Sequence, residues 1–205
     1  MSKANKSNKA IKYRLYPNDE QKVMFAKTFG CCRFVYNQLL ALQKQRYKDG
    51  ESHLSKLKSN EFATRILKKD YDFLKEIDKF AVSNAVFHLA DAYDRFFKKQ
   101  NHFPKFKSKR KSKKSYTTNF TNNNILIGKN VIKLPKVGMV KAVIHKLPKD
   151  DWKLKSVTVS QDSVGNYFAS VLFEYEQEDI PSVSKSSTNA IGLDYKSDGL
   201  YMDSN

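Results

Sequence analysis

The hydrophobic positions of this chain change period at one place. Up to about residue 100 they recur mostly at helical spacing, and beyond about residue 124 they alternate. A short alternating stretch precedes both. In residues 9–16, Ile11, Tyr13 and Leu15 oppose Ala10, Lys12, Arg14 and Tyr16, which predicts a half-buried strand with a basic outer face. Pro17 ends it, and Asn18 with Gln21 three positions on is a weak capping box for the next helix.

The pattern predicts four helical runs. The first carries Val23, Met24, Ala26 and Phe29 and meets Gly30. The second, residues 31–48, carries Val35, Leu39 and Leu42 with Phe34 and Leu40, and stops at Asp49-Gly50. Two helices around a glycine suit a helix-turn-helix and equally any helical hairpin. Residues 52–69 predict a more polar helix with Leu54, Leu57, Phe62 and Ile66, and residues 70–77 a connecting turn. Asp78 then caps the longest helix, Lys79 to about Lys99, in which Val82, Val86, Leu89, Tyr93 and Phe96 form one stripe. Lys79, Ser83 and Asn84 lie near its N-terminus, where free N–H groups and the helix dipole favour phosphate. His88 on this helix reads as a surface or packing residue.

Past the junction the elements are strands. Residues 124–127 and 131–134 flank a Gly128-Lys129-Asn130 turn, and residues 137–144 and 152–160 follow. After a turn at 162–166, Tyr167, Ala169, Val171, Phe173 and Tyr175 share one face. Short antiparallel strands at this spacing predict a small barrel. The strand at 9–16 has no partner among the helices, so it is assigned to the barrel, with the helices as an insertion. The expected class is α+β, divided into residues 1–17 (first barrel strand), 18–102 (helical lobe), 103–179 (remaining strands), 180–189 (a linker with Pro181 and serines) and 190–205. The last stretch, AIGLDYKSDGLYMDSN, predicts a strand ending at Asp194, a turn through Ser197, Asp198 and Gly199, and a second strand from Leu200.

Charge sharpens this division. The net +17 falls unevenly: residues 1–115 hold 28 Lys and Arg against 11 acids, and residues 116–205 hold 10 of each. The excess peaks between Lys98 and Lys114, where Lys98, Lys99, Lys105, Lys107, Lys109, Arg110, Lys111, Lys113 and Lys114 meet no acid. Such a run repels itself unless a polyanion neutralises it. Phe96, Phe97, Phe103, Phe106, Tyr116 and Phe120 interleave it, and flat rings stack on unpaired bases. The plainer alternative is a solvated basic loop. No long apolar run, signal core or lipidation motif points to a membrane. Cys31 and Cys32 cannot alone make a four-ligand zinc site, and as buried thiols they suit a reducing cytoplasm.

Asp194, at a strand end, is the one candidate catalytic and metal-binding carboxylate, although such an aspartate is more often a turn or cap residue. A ribonuclease H-like nuclease opens its two-magnesium site with such a residue. P-loop, GxSxG and HExxH patterns are absent.

Six segments, in order, resemble the TnpB (OrfB-type) family of insertion-sequence proteins: KAIKYRLYPNDEQ (9–21), FGCCRFVYN (29–37), EIDKFAVSNAVFHLADAYDRFF (76–97), FPKFKSKRKSKKSYTT (103–118), FTNNNI (120–125) and AIGLDYKSDG (190–199). The resemblance covers nearly the whole chain. It implies a wedge-like barrel interrupted by a helical recognition lobe and followed by the first strands of a truncated RuvC-type nuclease domain. It also implies a guide RNA, a double-stranded DNA target with a short adjacent motif, and magnesium-dependent cleavage. Asp194 matches the first RuvC aspartate. Lys79, Phe80, Ser83 and Asn84 match the helix facing the target-adjacent duplex, with Ser83 where glutamine is common. Thr121 and Asn122 match residues facing the same DNA. The later RuvC carboxylates and zinc cysteines have no counterpart here, so this chain is expected to bind without cutting. Two alternatives remain: a nuclease-less protein that occludes an RNA-guided site, or a helix-turn-helix DNA binder needing no RNA.

Overall fold

The computed structural model describes residues 5–177, 193–196 and 199–203. Two compact units divide the chain: Lys6–Glu176, and Gln177–Asn205 with Met1–Asn5.

In the larger unit, β1 (Asn5–Tyr16) leads into α1 (Asp19–Lys48). The helix starts where Asn18 Oδ1 accepts from the Gln21 N–H at 2.8 Å, while Gln21 Oε1 accepts from the Asn18 N–H at 3.1 Å. Asp19 and Glu20 sit in its first turn and Arg46 and Lys48 in its last, all favourable to the helix dipole. The two helices expected around Gly30 are one. Phe25, Phe29, Cys32, Tyr36, Leu39 and Gln43 are buried and recur every three or four residues straight through the glycine. That continuous stripe outweighs the roughly 1 kcal/mol cost of an interior glycine. No helix-turn-helix lies within residues 19–48.

The next helical stretch starts later than expected. Ser55 caps α2 (Lys56–Glu61), and a π-helical segment (Phe62–Leu67) and a short α3 (Lys68–Asp70) continue it. The wider turn changes which residues face inward. Ala63 and Leu67 are buried, while the expected core positions Leu57 and Ile66 are exposed. A 3-10 turn (Asp72–Lys75) leads to α4 (Lys79–Phe97). As expected, Asp78 caps α4 by accepting from the Ala81 N–H, and Val82, Val86, Leu89 and Tyr93 are buried. Phe96 is half-buried.

The sheet follows as β2 (Lys114–Asn119), β3 (Leu126–Ile127), β4 (Val131–Leu134), β5 (Gly138–Val143), β6 (Lys153–Gln161) and β7 (Tyr167–Gln177). Strand β2 begins inside the lysine run, where no strand was expected. The hydrogen-bonded order is β2-β6-β7-β1-β5-β4-β3, and the paired registers are antiparallel. Strand β1 does join this sheet, and the helices are inserted between β1 and β2. The sheet is not closed: β2 and β3 are its edges. Helix α4 lies against β2, and Asn84 Nδ2 donates to the Thr117 carbonyl at 2.9 Å, which satisfies part of that edge.

One core joins the layers. Ile11, Tyr13, Leu15, Val140, Ala142, Val157, Val159, Ala169, Val171 and Phe173 line the inner face of the sheet, all buried. Phe25 and Phe29 of α1 reach onto it, with ring centroids 5.4 Å (Phe25–Tyr167) and 5.9 Å (Phe29–Tyr116) apart. Each fully buried side chain of this size contributes roughly 1.5–3 kcal/mol.

In the smaller unit, β8 (Leu193–Lys196) and β9 (Gly199–Asp203) form an antiparallel hairpin. Asp194 lies within β8, which continues to Lys196, and not at a strand end. Ser197 and Asp198 of the expected turn, and the expected linker at 180–189, lie outside the described residues. No helix among the described residues is long and apolar enough to cross a membrane.

Candidate nucleic-acid interface

The N-terminus of α4 and the β2–β3 loop make the first part of the interface. Asp78 is buried, and its Oδ2 accepts from the Ala81 N–H at 3.3 Å and from the Thr118 hydroxyl at 2.6 Å. This carboxylate ties the helix start to β2. Asn84, one turn on, adds a bond to Asn119 Oδ1 at 3.2 Å. In the loop, Asn124 Oδ1 accepts from the Thr121 N–H at 2.8 Å, and Asn124 Nδ2 donates to the Asn119 carbonyl at 2.9 Å. Asn122 and Asn123 take left-handed φ of 47° and 55°, which asparagine tolerates better than most residues.

These bonds shape an open cleft of about 510 Å³. It brings together Lys79, Phe80, Thr121 and Asn122, four of the residues singled out in the sequence, and adds Lys68, Lys75 and Lys136. Lys79 Nζ stands 5.0 Å from the Phe80 ring centroid. Lys75 pairs with Asp72, whereas Lys68, Lys79 and Lys136 have no carboxylate partner among the described residues. Burial lowers the pKa of Lys68, Asp78 opposes that shift, and the positive charges of Lys79 and Lys136 add to it. The cleft is therefore a cationic pocket on a rigid, hydrogen-bonded frame, suited to phosphate oxygens. Ser83 is half-buried on α4 and does not line it, and Asn84 is committed to β2.

The lysine run is the second part. Asn37 of α1 holds its backbone, donating through Nδ2 to the Lys107 carbonyl at 2.9 Å and accepting from the Lys107 N–H at 2.8 Å. Beyond it, residues 108–112 close a turn in which Ser108 Oγ accepts from the Lys111 N–H at 2.9 Å. This segment is ordered by side chains of the lobe, unlike a solvated loop. Lys107 Nζ sits 4.0 Å above the Tyr36 ring, and burial lowers its pKa. Lys107, Lys113 and Lys114 line a small recess with Arg33 and His88. Lys105, Lys109, Arg110 and Lys111 are exposed. Lys114 Nζ reaches Gln161 Oε1 at 3.1 Å, and none of the seven cations from Lys105 to Lys114 pairs with a carboxylate among the described residues.

Tyr116 is placed differently from its expected role. Its ring is buried against Phe25 and Phe29, and burial raises its hydroxyl pKa. It packs the core and presents no face to a base. Lys68, Lys136 and Arg33 were not singled out in the sequence. They come from three distant segments, and no linear spacing links them to the sites they line.

Known proteins match this chain along most of its length. The family model HTH_OrfB_IS605, described as a helix-turn-helix domain, matches residues 7–52. A Streptomyces pristinaespiralis protein, provisionally named an RNA-guided DNA endonuclease, is 30% identical over 188 residues, 91% of this chain and 45% of its own length. The chain belongs to the TnpB (OrfB-type) family. InsQ of Escherichia coli K12, with the same provisional name, is 28% identical over 90% of this chain and 44% of its own. Virulence protein VsdF of Salmonella dublin is 32% identical over 111 residues, 49% of this chain and 93% of its own. The chain thus spans somewhat under half the length of the first two relatives. Despite the description of the OrfB model, the residues it matches hold one strand and one unbroken helix here.

The described residues do not by themselves fit a magnesium site. The hairpin register sets Met202 across from Asp194, and Asp203 across from Leu193. Among the described side chains no three or more His, Cys, Asp or Glu residues cluster as metal ligands do. One carboxylate does not make the octahedral oxygen set that magnesium requires.

Proposed function

We propose that this chain grips a guide RNA and double-stranded target DNA in the manner of an RNA-guided DNA endonuclease of its family, acting in the cytoplasm. The open sheet and the inserted lobe take the roles of the wedge-like barrel and recognition lobe, and the β8–β9 hairpin that of the first RuvC strands. The observation that carries this reading is the cleft in which Lys68, Lys79 and Lys136 converge beside Phe80, Thr121 and Asn122. Unpaired lysines supply charge for phosphates, and the neighbouring Thr and Asn side chains supply donors and acceptors for base edges. The lysine run, pinned by Asn37, extends the cationic surface. Magnesium belongs to this reading as the cofactor of cleavage, with Asp194 as its candidate ligand. One carboxylate alone supports no metal step.

The test is a selection. The purified chain is bound to random-sequence DNA duplexes, and the RNA that travels with it is sequenced. A single co-purifying structured RNA and enrichment of a short DNA motif, both reduced in affinity by added salt, are expected. Retention of all duplexes alike, with no RNA, would overturn the proposal. Because α1 is unbroken, the RNA-independent helix-turn-helix alternative gains no support from the fold.

A further inference from the structure

We infer that the far end of the helical lobe carries a second, separate site, which stacks an unpaired base of the RNA. It rests on the reading above, in which RNA is the partner that can present unpaired bases. The site lies where α1 ends, where α4 ends, and where the chain leaves α4. There a recess of about 520 Å³ is walled by Tyr47, His53, Tyr93, Phe96, Phe97 and Phe103. Lys79 opens α4 and Phe97 closes it, so at 1.5 Å per residue this recess is roughly 27 Å along the helix from the DNA-facing cleft.

Two observations set this recess apart from ordinary core. Its rings are open to solvent: Tyr47 is 85% exposed, Phe97 63% and Phe103 39%, with Phe106 beside them at 53%. A cluster of exposed aromatics on one face marks an interaction site. The inner rings are also packed on one another edge to face, which holds the wall of the recess in place beneath the exposed rings. His53 lies 4.5 Å from Tyr93 at 67°, and Phe103 lies 5.2 Å from Phe96 at 83°.

Charge selects the occupant. Lys44 and Lys48 line the recess, and Lys44 Nζ lies 5.4 Å from the Phe103 centroid and 4.7 Å from that of Phe106. The one lining carboxylate, Glu51, is paired with Arg46. Lys98, Lys99 and Lys105 flank these rings in sequence. An apolar slot with cations at its rim fits a base in the slot and its phosphates at the lysines. The volume also falls within the usual range for small-molecule sites.

The test uses a twelve-nucleotide oligouridylate carrying one 2-aminopurine, whose fluorescence is quenched on stacking. The whole chain should quench it; excess unlabelled single strand should reverse the quenching, and excess unlabelled duplex should not. In Tyr47→Ala with Phe97→Ala the quenching should vanish, and affinity should fall about 5- to 150-fold for each stacking partner removed. Affinity for duplex DNA should stay within about twofold. Tyr47→Ala alone, at a nearly fully exposed position, keeps the test decisive if the double variant folds poorly. Quenching equal to wild type in Tyr47→Ala and in the double variant, or equal reversal by the unlabelled duplex, overturns the inference. Lys79→Ala separates the two sites: loss of duplex DNA binding there reports on the cleft and should leave the quenching intact.

Discussion

The Thr118 hydroxyl donates to the Asp78 carboxylate across 2.6 Å, and both groups are buried. The same carboxylate caps α4, so one side chain fixes the helix start, the adjoining strand and, through both, the walls of the cationic cleft. Replacing Asp78 with Ala removes a cap and leaves a buried hydroxyl without its acceptor. The expected loss is about 2–4 kcal/mol of stability, read from urea unfolding. Asp78→Asn, which keeps an acceptor, should cost distinctly less. Equal losses would show that the site tolerates no amide, and no loss would remove Asp78 from this role.

The cleft lysines should act as a group on salt dependence. Every lysine–phosphate interaction that is removed lowers the slope of log affinity against log salt by about 0.9. Lys68→Ala, Lys79→Ala and Lys136→Ala together should therefore flatten the slope for duplex DNA by about 2–3. The same three changes should leave thermal stability near wild type, because none of these lysines pairs with a carboxylate among the described residues. Anisotropy titrations between about 50 and 200 mM salt would check this, and an unchanged slope would place the DNA elsewhere.

Much of this fold could be read from residue pattern, and what could not has physical reasons. Strand β1 showed through its strict alternation, and α4 through its cap and stripe, because local rules and tertiary packing agree there. Gly30 misled because glycine is a local stop signal, while the stripe from Phe25 to Gln43 that overrides it is a property of packing. Strand β2 was hidden because its inward positions are Tyr116 and Thr118 and its start is lysine, so composition spoke louder than period. The convergence of Lys68 and Lys136 on Lys79 depends on the sheet meeting the lobe, and no linear motif encodes it.

The two adjacent thiols should be inert in the folded chain. Burial pushes Cys31 up to about 11 and Cys32 up to about 12. Thiolate is the reactive form, so native alkylation by iodoacetamide at pH 8 should be roughly 100-fold slower than in urea. The linkage follows the same sign. A raised thiol pKa contributes stability that is complete below the unfolded value near 9 and is lost as pH climbs towards 11–12. Mass spectrometry of timed alkylation reads the first effect. Rapid native labelling would mean that α1 opens readily around Gly30.

Acid should weaken the helical lobe before it titrates the paired carboxylates. Burial lowers the pKa of His53, with Asp94 opposing the shift, and lowers that of His88, where Lys107 adds to the shift and Asp91 opposes it. A depressed imidazole pKa means the folded chain resists the proton. The associated stability is complete above the unfolded value near 6.5 and is lost as pH falls through the folded values. Asp72 is also depressed, chiefly by its bond to Lys75, but it starts from 3.8 and titrates further down. The window that opens below about pH 6.5 therefore belongs first to these imidazoles. The melting temperature should drop across that window in the wild-type chain, and the drop should shrink in His53→Gln with His88→Gln. Because His53 packs against Tyr93 and Phe97, its protonation should also weaken quenching at the aromatic recess, and a pH-independent quench would show that the ring does not shape that site.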